Sequence, residues 1–107
     1  MIIDVAALTW NGFKSCVYRT YCVGGTPTDE MRSYYDTALT WLRDSIHAVK
    51  PGVSTRDIAS KWPSAKDAWG YAEEDQAAAN LWGHGLGLAQ YDPPVISRIW
   101  SLDHPIE

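Results

Sequence analysis

The feature that most constrains the fold of this chain is the segment Gly83-His84-Gly85-Leu86-Gly87-Leu88, in which three glycines alternate with a histidine and two leucines. In a β-strand, alternation places the glycines on one face and the three side chains on the other. Because glycine weakens a strand, this pattern predicts that another backbone or a ligand closely approaches the glycine face. His84 is then a candidate metal ligand or acid–base group, and the alternative is a glycine-rich turn beside a structural histidine.

The bulk properties favour one soluble domain and argue against two classes of partner. The chain has 107 residues, a net charge of −4 at pH 7 and a pI of about 5.2, without an arginine cluster, so we expect no nucleic-acid partner. No apolar run approaches the roughly 20 residues of a membrane helix. No basic, cleavable leader precedes Ile2, so we expect a cytoplasmic protein that binds no membrane. Cys16 and Cys22 would lie roughly 20 Å apart on one strand, so we expect free thiols.

The first quarter of the chain predicts a β-hairpin. Residues 1–8 form an apolar run that predicts a buried strand. Residues 9–12 contain Asn-Gly, a strong hairpin-turn signal between β-prone runs. Residues 13–23 mix aromatic and β-branched side chains and predict the return strand, which Gly24 ends.

A helix pair follows the hairpin. Thr28 is the expected N-cap of a helix that runs to about Val49 and is stopped by Lys50-Pro51-Gly52. Ser54 is the expected cap of a second helix that Pro63 limits. Apolar residues repeat along one face of the first helix: Met31, Tyr35, Ala38, Leu42, Ile46 and Val49.

Two further short segments complete the pattern. Residues 64–69 predict one more helical turn, and residues 73–80, rich in Ala and Glu, predict a helix before the glycine-rich strand. The order of hairpin, helix pair, short helix and strand is typical of an α+β fold.

Several residues could carry chemistry, each with a structural alternative. Asp4 is the only charge in an apolar run, and a buried carboxylate must be paired, hydrogen-bonded or metal-bound unless it meets water. Cys16 could be a reactive or metal-binding thiol, but a free cysteine is most often a small buried apolar residue. Arg19 could pair with a buried carboxylate, and Asp92, which precedes two prolines, could be a turn residue.

In order along the chain, these segments resemble the pita-bread-fold metallohydrolases, the superfamily of methionine aminopeptidase, Xaa-Pro aminopeptidase, prolidase and creatinase. Residues 3–24 resemble the family's "I-D-x-G … G-Y-x-S-D-x-T-R-T … V-G" hairpin, and residues 49–58 its "K-P-G-V-T … D-I" helix pair. Gly83–Leu88 resembles the "G-H-G-I-G-L" strand, and Tyr91-Asp92-Pro93-Pro94 stands where the family has "H-E-x-P". The resemblance spans nearly the whole chain and implies a partial pita-bread fold.

The resemblance also implies a set of site residues. Family members hold two divalent metals with two aspartates, one histidine and two glutamates, and Asp4 and His84 match the first aspartate and the histidine. Cys16 stands in place of the second aspartate, where a thiolate suits zinc better than a bridging role between two metals. Tyr91 stands in place of a substrate-side histidine, as a candidate catalytic hydrogen-bond donor. Both glutamates are expected beyond Glu107, so we expect residues 1–107 to be one incomplete catalytic domain.

These matches and departures leave three functional hypotheses. The first is a fragment of a metal-dependent hydrolase of the Xaa-Pro aminopeptidase or prolidase type, inactive alone, whose full-length relative would use Mn, Zn, Fe or Co on a peptide or small-molecule substrate. The second is a fragment of a non-peptidase branch, resembling creatinase or dimethylsulfoniopropionate lyase. The third is a non-catalytic structural remnant. Six tryptophans in an incomplete domain further predict self-association, for example as a homodimer.

Overall fold

The computed structural model of the protein describes residues 2–4, 8–77, 81–100 and 105–107, with only the backbone of residues 2 and 4. The described elements are β1 (Ile2–Asp4), β2 (Thr9–Trp10), β3 (Phe13–Lys14), β4 (Tyr18–Thr20), α1 (Asp29–Ala48), α2 (Thr55–Ala59), α3 (Ala65–Trp69), a 3₁₀ turn (Glu74–Gln76), β5 (Leu81–Gly85) and β6 (Asp92–Ser97). Within these residues the strands form three antiparallel pairs, β1–β4, β2–β3 and β5–β6. The α+β class predicted from the sequence is confirmed.

The predicted hairpin consists of two short ladders rather than one long one. At its tip β2 pairs with β3, Trp10 opposite Phe13, across a turn in which Asn11 and Gly12 have φ values of 49° and 89°. Two successive positive φ values are the geometry that the Asn-Gly signal predicts. At its base β1 pairs with β4.

The strands are shorter than predicted. Leu8 lies outside any strand and is exposed, and Ile3 of β1 is also exposed, so the described part of the first segment is not the buried strand expected; residues 5–7 lie outside the described residues. The return strand is broken between β3 and β4. The break occurs because the Ser15 N–H donates to the Leu8 carbonyl (2.9 Å), after which the chain changes partner from β2 to β1.

Helix α1 has the cap predicted for it but buries a different face. The Met31 N–H donates to Thr28 Oγ1 (3.2 Å), and the helix ends at Ala48. The side that packs on α2 carries Trp41 and Ser45, whereas the apolar repeat is largely exposed, with Ile46 at 58%. None of the described helices is both long and apolar enough to cross a bilayer.

The described core surrounds α2 and is small. Ile58 and Ala59 of α2 are fully buried, and Ala65 of α3 and Ala77 are nearly so. The Ser54 hydroxyl accepts from the Asp57 N–H at 3.1 Å, which is the capping interaction predicted for α2.

Three tryptophans extend this core towards the strands. Trp41 of α1 contacts Trp62 after α2, with ring centroids 5.9 Å apart, and Trp62 stacks on Trp82 of β5 at 5.9 Å and 20°. Arg98 then places its guanidinium 4.4 Å from the centre of the Trp82 ring. These contacts connect α1, α2 and the β5–β6 pair.

The segment predicted as a helix over residues 73–80 is only a 3₁₀ turn at Glu74–Gln76, and residues 78–80 lie outside the described residues. Glu74 has contacts that a regular surface helix would not give it. Its carboxylate accepts from the Ala65 N–H (3.1 Å) and from Arg98 Nη2 (3.0 Å).

Candidate functional site

The glycine-rich segment is a strand only as far as Gly85, and the following residues 86–88 leave the sheet. The predicted close approach to the glycines is confirmed, and what approaches is the protein itself. A Cβ on Gly85 would collide with the backbone of Asp92 and Pro93, and one on Gly87 would collide with the Asp92 carboxylate. The glycines therefore allow β6 and its first residues to lie against the strand.

The register of β5 and β6 changes on both sides of His84. Gly83 pairs with Ile96 and His84 with Val95, but Leu81 pairs with Ser97, which leaves Trp82 as an extra residue. The ladder shifts again beyond His84, before Gly85 pairs with Asp92. Bulges of this kind redirect side chains and are common beside active sites.

His84 is held in one tautomer by its own strand. Its Nδ1 lies 2.8 Å from the Gly85 carbonyl oxygen, which can only accept, so Nδ1 carries the proton and donates it. No described residue bonds to Nε2. A neutral imidazole with a fixed Nδ1–H and an open Nε2 lone pair is the usual form of a metal-ligating histidine.

Tyr91 is the candidate that the structure brings to His84. The two ring centroids lie 4.4 Å apart at an angle of 51°. The tyrosine ring therefore covers one side of the imidazole. Tyr91 is 53% exposed, so solvent also reaches the tyrosine. The resemblance gave His84 and Tyr91 separate roles, and the structure places their rings in contact.

Cys16 and Asp4 lie on the hairpin, which contacts the glycine-rich segment through a backbone hydrogen bond. The Lys14 N–H donates to the Gly87 carbonyl at 2.8 Å. Cys16 follows in the break between β3 and β4, half-buried and outside any disulfide, and Cys22 is also a free thiol, as predicted. Asp4 lies opposite Tyr18 in the β1–β4 ladder, and its side chain is outside the described residues.

The candidates do not assemble a complete metal centre in the described part of the chain. Among those residues no three His, Cys, Asp or Glu side chains lie close enough together to hold an ion. His84 is the described candidate with an open ligating nitrogen, and no cluster of three donors surrounds it among the described side chains, so this donor set does not fit two divalent metals. Any centre needs ligands beyond those described.

A large groove of the described surface lies away from these candidates. It has a volume of about 880 Å³ and lies between the segment after β4 and the first half of α1, lined mainly by Tyr21, Val23, Met31, Tyr35 and Ala38. None of the candidate site residues whose side chains are described lines it.

Sequence analysis did not identify Arg98 and Glu74, which form an ion pair next to β5, with 3.0 Å between Arg98 Nη2 and Glu74 Oε2. Arg98 Nη1 donates to the Trp62 carbonyl (2.7 Å) and Nη2 to the Pro63 carbonyl (2.6 Å). The two charged residues are 24 positions apart, so no helical or strand spacing connects them. The available signal was a lone cation among apolar residues, since Arg98 lies between Val95-Ile96-Ser97 and Ile99-Trp100.

Comparisons with known proteins give one consistent answer. The model of metallopeptidase family M24 matches residues 1–107. A Xaa-Pro dipeptidase of Pyrococcus furiosus is 32% identical over 98 residues, which cover 92% of this chain and 27% of that protein. A second Xaa-Pro dipeptidase, of Pyrococcus horikoshii, is 26% identical over 92% of this chain and 26% of its own length. A methionine aminopeptidase of Chlamydia pneumoniae is 28% identical over 90% of this chain and 31% of its own.

The chain therefore spans between a quarter and a third of the length of these relatives. No solved structure matches it.

Proposed function

Because this chain belongs to metallopeptidase family M24, we propose that it is part of a metal-dependent peptidase domain of the Xaa-Pro type, with a partial pita-bread fold. In this proposal His84 and Asp4 are metal ligands, and the remaining ligands come from outside the described residues. The observation that carries the proposal is the His84 imidazole, whose Nδ1–H is fixed on the Gly85 carbonyl so that Nε2 is available. A bound divalent metal would supply Lewis acidity towards a peptide carbonyl.

Tyr91 is proposed to act on substrate rather than on metal. A phenol hydroxyl is a good hydrogen-bond donor and a poor general base. Its ring lies against His84 and half of its surface is exposed, so the hydroxyl can donate to an oxygen of a substrate held at the imidazole. Cys16 is proposed as a further ligand, since a thiolate binds zinc well.

We propose that residues 1–107 are one incomplete domain and inactive alone. The support is that the described residues hold no cluster of three metal-ligating side chains, whereas the family it resembles needs five ligands. The peptide substrate of the relatives and a cytoplasmic location both stay predictions for this chain.

The first experiment measures metal binding at His84. Mn²⁺ is titrated into the protein while the imidazole resonances are followed by NMR, because a paramagnetic ion broadens only nearby nuclei. We expect His84 to broaden at lower Mn²⁺ than His47, an exposed histidine of α1 that serves as the internal control. We expect fewer than two tightly bound metal equivalents per chain after dialysis.

Three results would contradict parts of the proposal. Equal broadening of His84 and His47 would remove His84 as a ligand. Two retained equivalents would show a complete binuclear site, and turnover of a Xaa-Pro dipeptide by the metal-loaded chain would refute inactivity. The His84→Ala variant identifies the binding residue, with His47→Ala as the matched control.

A second candidate function rests on two positions. Cys16 and Tyr91 occupy positions at which the family has an aspartate and a histidine. Both replacements favour a non-peptidase branch, such as a creatinase-like hydrolase or a dimethylsulfoniopropionate lyase. Gain of metal binding on Cys16→Asp would favour the peptidase branch, and no gain would favour the other. A non-catalytic structural remnant predicts no metal response at His84 at all.

A further inference from the structure

We propose that Arg98 is a positioning residue for His84. It holds the β-bulge at Trp82, and this bulge determines which face of β5 carries the imidazole. The inference rests on the proposed function only for the role of His84, because the placement of the ring can be measured without metal or substrate.

The bulge is visible in the register of β5 and β6. Between the pairs Leu81–Ser97 and Gly83–Ile96, β5 advances by two residues and β6 by one. Trp82 is the residue left without a partner. An extra residue of this kind moves the side chains that follow it in the strand to the opposite face of the sheet, as far as the next irregularity in the ladder.

The regular ladder that presents His84 is therefore very short. It consists of Gly83 and His84, between the bulge and the second shift before Gly85. If Trp82 entered the ladder, the pairing would slip by one residue and a glycine would occupy the position now held by the histidine. The imidazole would then leave the side on which it meets Tyr91.

Arg98 holds the bulged residue from the opposite strand. It directly follows Ser97, the partner of Leu81, and its guanidinium lies 4.4 Å from the centre of the Trp82 ring. The side chain is only 19% exposed. A cation over an indole face gains most where water is excluded, so this contact favours Trp82 remaining outside the ladder.

The guanidinium is itself fixed by oxygens of the helical part of the chain. Its Nη1 donates to the Trp62 carbonyl (2.7 Å), and its Nη2 donates to the Pro63 carbonyl (2.6 Å) and to Glu74 (3.0 Å). Trp62 in turn stacks on Trp82. The bulge is therefore anchored to the core around α2 as well as to the neighbouring strand.

These contacts require the planar fork of arginine. A lysine ammonium is a single point and cannot direct two nitrogens to three oxygens while presenting a flat face to an indole. We therefore expect Arg98→Lys to behave like Arg98→Met, with loss of the contact between the His84 and Tyr91 rings.

The experiment compares Arg98→Met and Arg98→Lys with the parent chain by NMR. The readout is the nuclear Overhauser effect between the two rings, whose centroids lie 4.4 Å apart. We expect this effect to be lost in both variants while the Ile58 methyl resonances stay in their buried environment. Arg43→Met, an exposed arginine of α1, is the control and should leave the effect unchanged.

If Arg98→Met does not fold, Trp82→Leu and Glu74→Gln answer the same question. The first removes the indole that Arg98 holds, and the second removes one charged anchor of Arg98. We expect loss of the ring contact in Trp82→Leu and weakening in Glu74→Gln. An unchanged contact in a folded Arg98→Met or, failing that, in Trp82→Leu would overturn the inference.

The inference and the proposed function fail in different ways. An unaltered ring contact in the Arg98 variants removes the positioning role even if the parent His84 responds to Mn²⁺. A His84 that shows no Mn²⁺ response removes the ligand role even if the Arg98 variants lose the contact.

Discussion

At the scale of single residues, Gly85 shows how a missing side chain determines strand pairing. Its Cα hydrogen faces the carbonyl groups of Asp92 and Pro93, where any Cβ would collide with backbone. The glycine pattern in the sequence predicted such an approach. It could not indicate whether a ligand or a strand approaches, because both require the same small residue.

Gly85→Ala is expected to destabilise the protein by about 1–3 kcal/mol, the usual cost of overpacking. The added methyl meets backbone, which cannot move without displacing β6. Gly83→Ala is the matched control in the same strand, since its Cβ would meet first the end of the Ile96 side chain at 2.9 Å, which can rotate away. Urea unfolding measures both, and an equal loss in the two variants would contradict the explanation.

At the scale of elements, local signals predicted α1 and α2 well but not the 3₁₀ turn at Glu74–Gln76 or the lengths of the strands. Thr28 and Ser54 cap α1 and α2 as their sequence context predicts, because a cap depends on residues three positions away. The strand predicted over residues 13–23 divides into β3 and β4 because its hydrogen bonds go to two different partners. A strand's length depends on distant backbone, which no local pattern contains.

Ser54→Ala is expected to cost about 1 kcal/mol of folding stability. The hydroxyl accepts the Asp57 N–H at the start of a helix of only five residues, and that helix carries the fully buried Ile58. Thr37→Ala, an exposed mid-helix position on α1, is the control and should change stability little. Thermal unfolding compares them, and a cap variant as stable as the control would contradict the role of the hydroxyl.

At the scale of the whole molecule, the described core is small for the apolar content of the chain. It centres on Ile58 and three alanines, while Trp10 is 77% exposed, Leu88 71% and Ile46 58%. Apolar surface of this extent favours association. The ordinary expectation for a hydrophobic content of 46% would be a larger buried core.

The chain is therefore expected to self-associate in solution. Ile46→Glu is expected to reduce this association, because it places a charge on the exposed apolar face of α1. Thr40→Glu, also exposed on α1 but outside the apolar repeat, is the matched control. Sedimentation velocity across a concentration series measures both. A monodisperse monomer of the parent chain would contradict the expectation.

Local sequence patterns were enough to predict the α+β class, the caps of α1 and α2, the Asn11-Gly12 turn and the close approach to the glycines beside His84, because each depends on residues close together in the chain. Only the tertiary structure shows the bulge at Trp82, the contact of His84 with Tyr91 and the contact of Arg98 with the Trp82 ring. These depend on which backbone lies beside β5 and in which register, and the spacing of residues within one strand does not specify its distant partner.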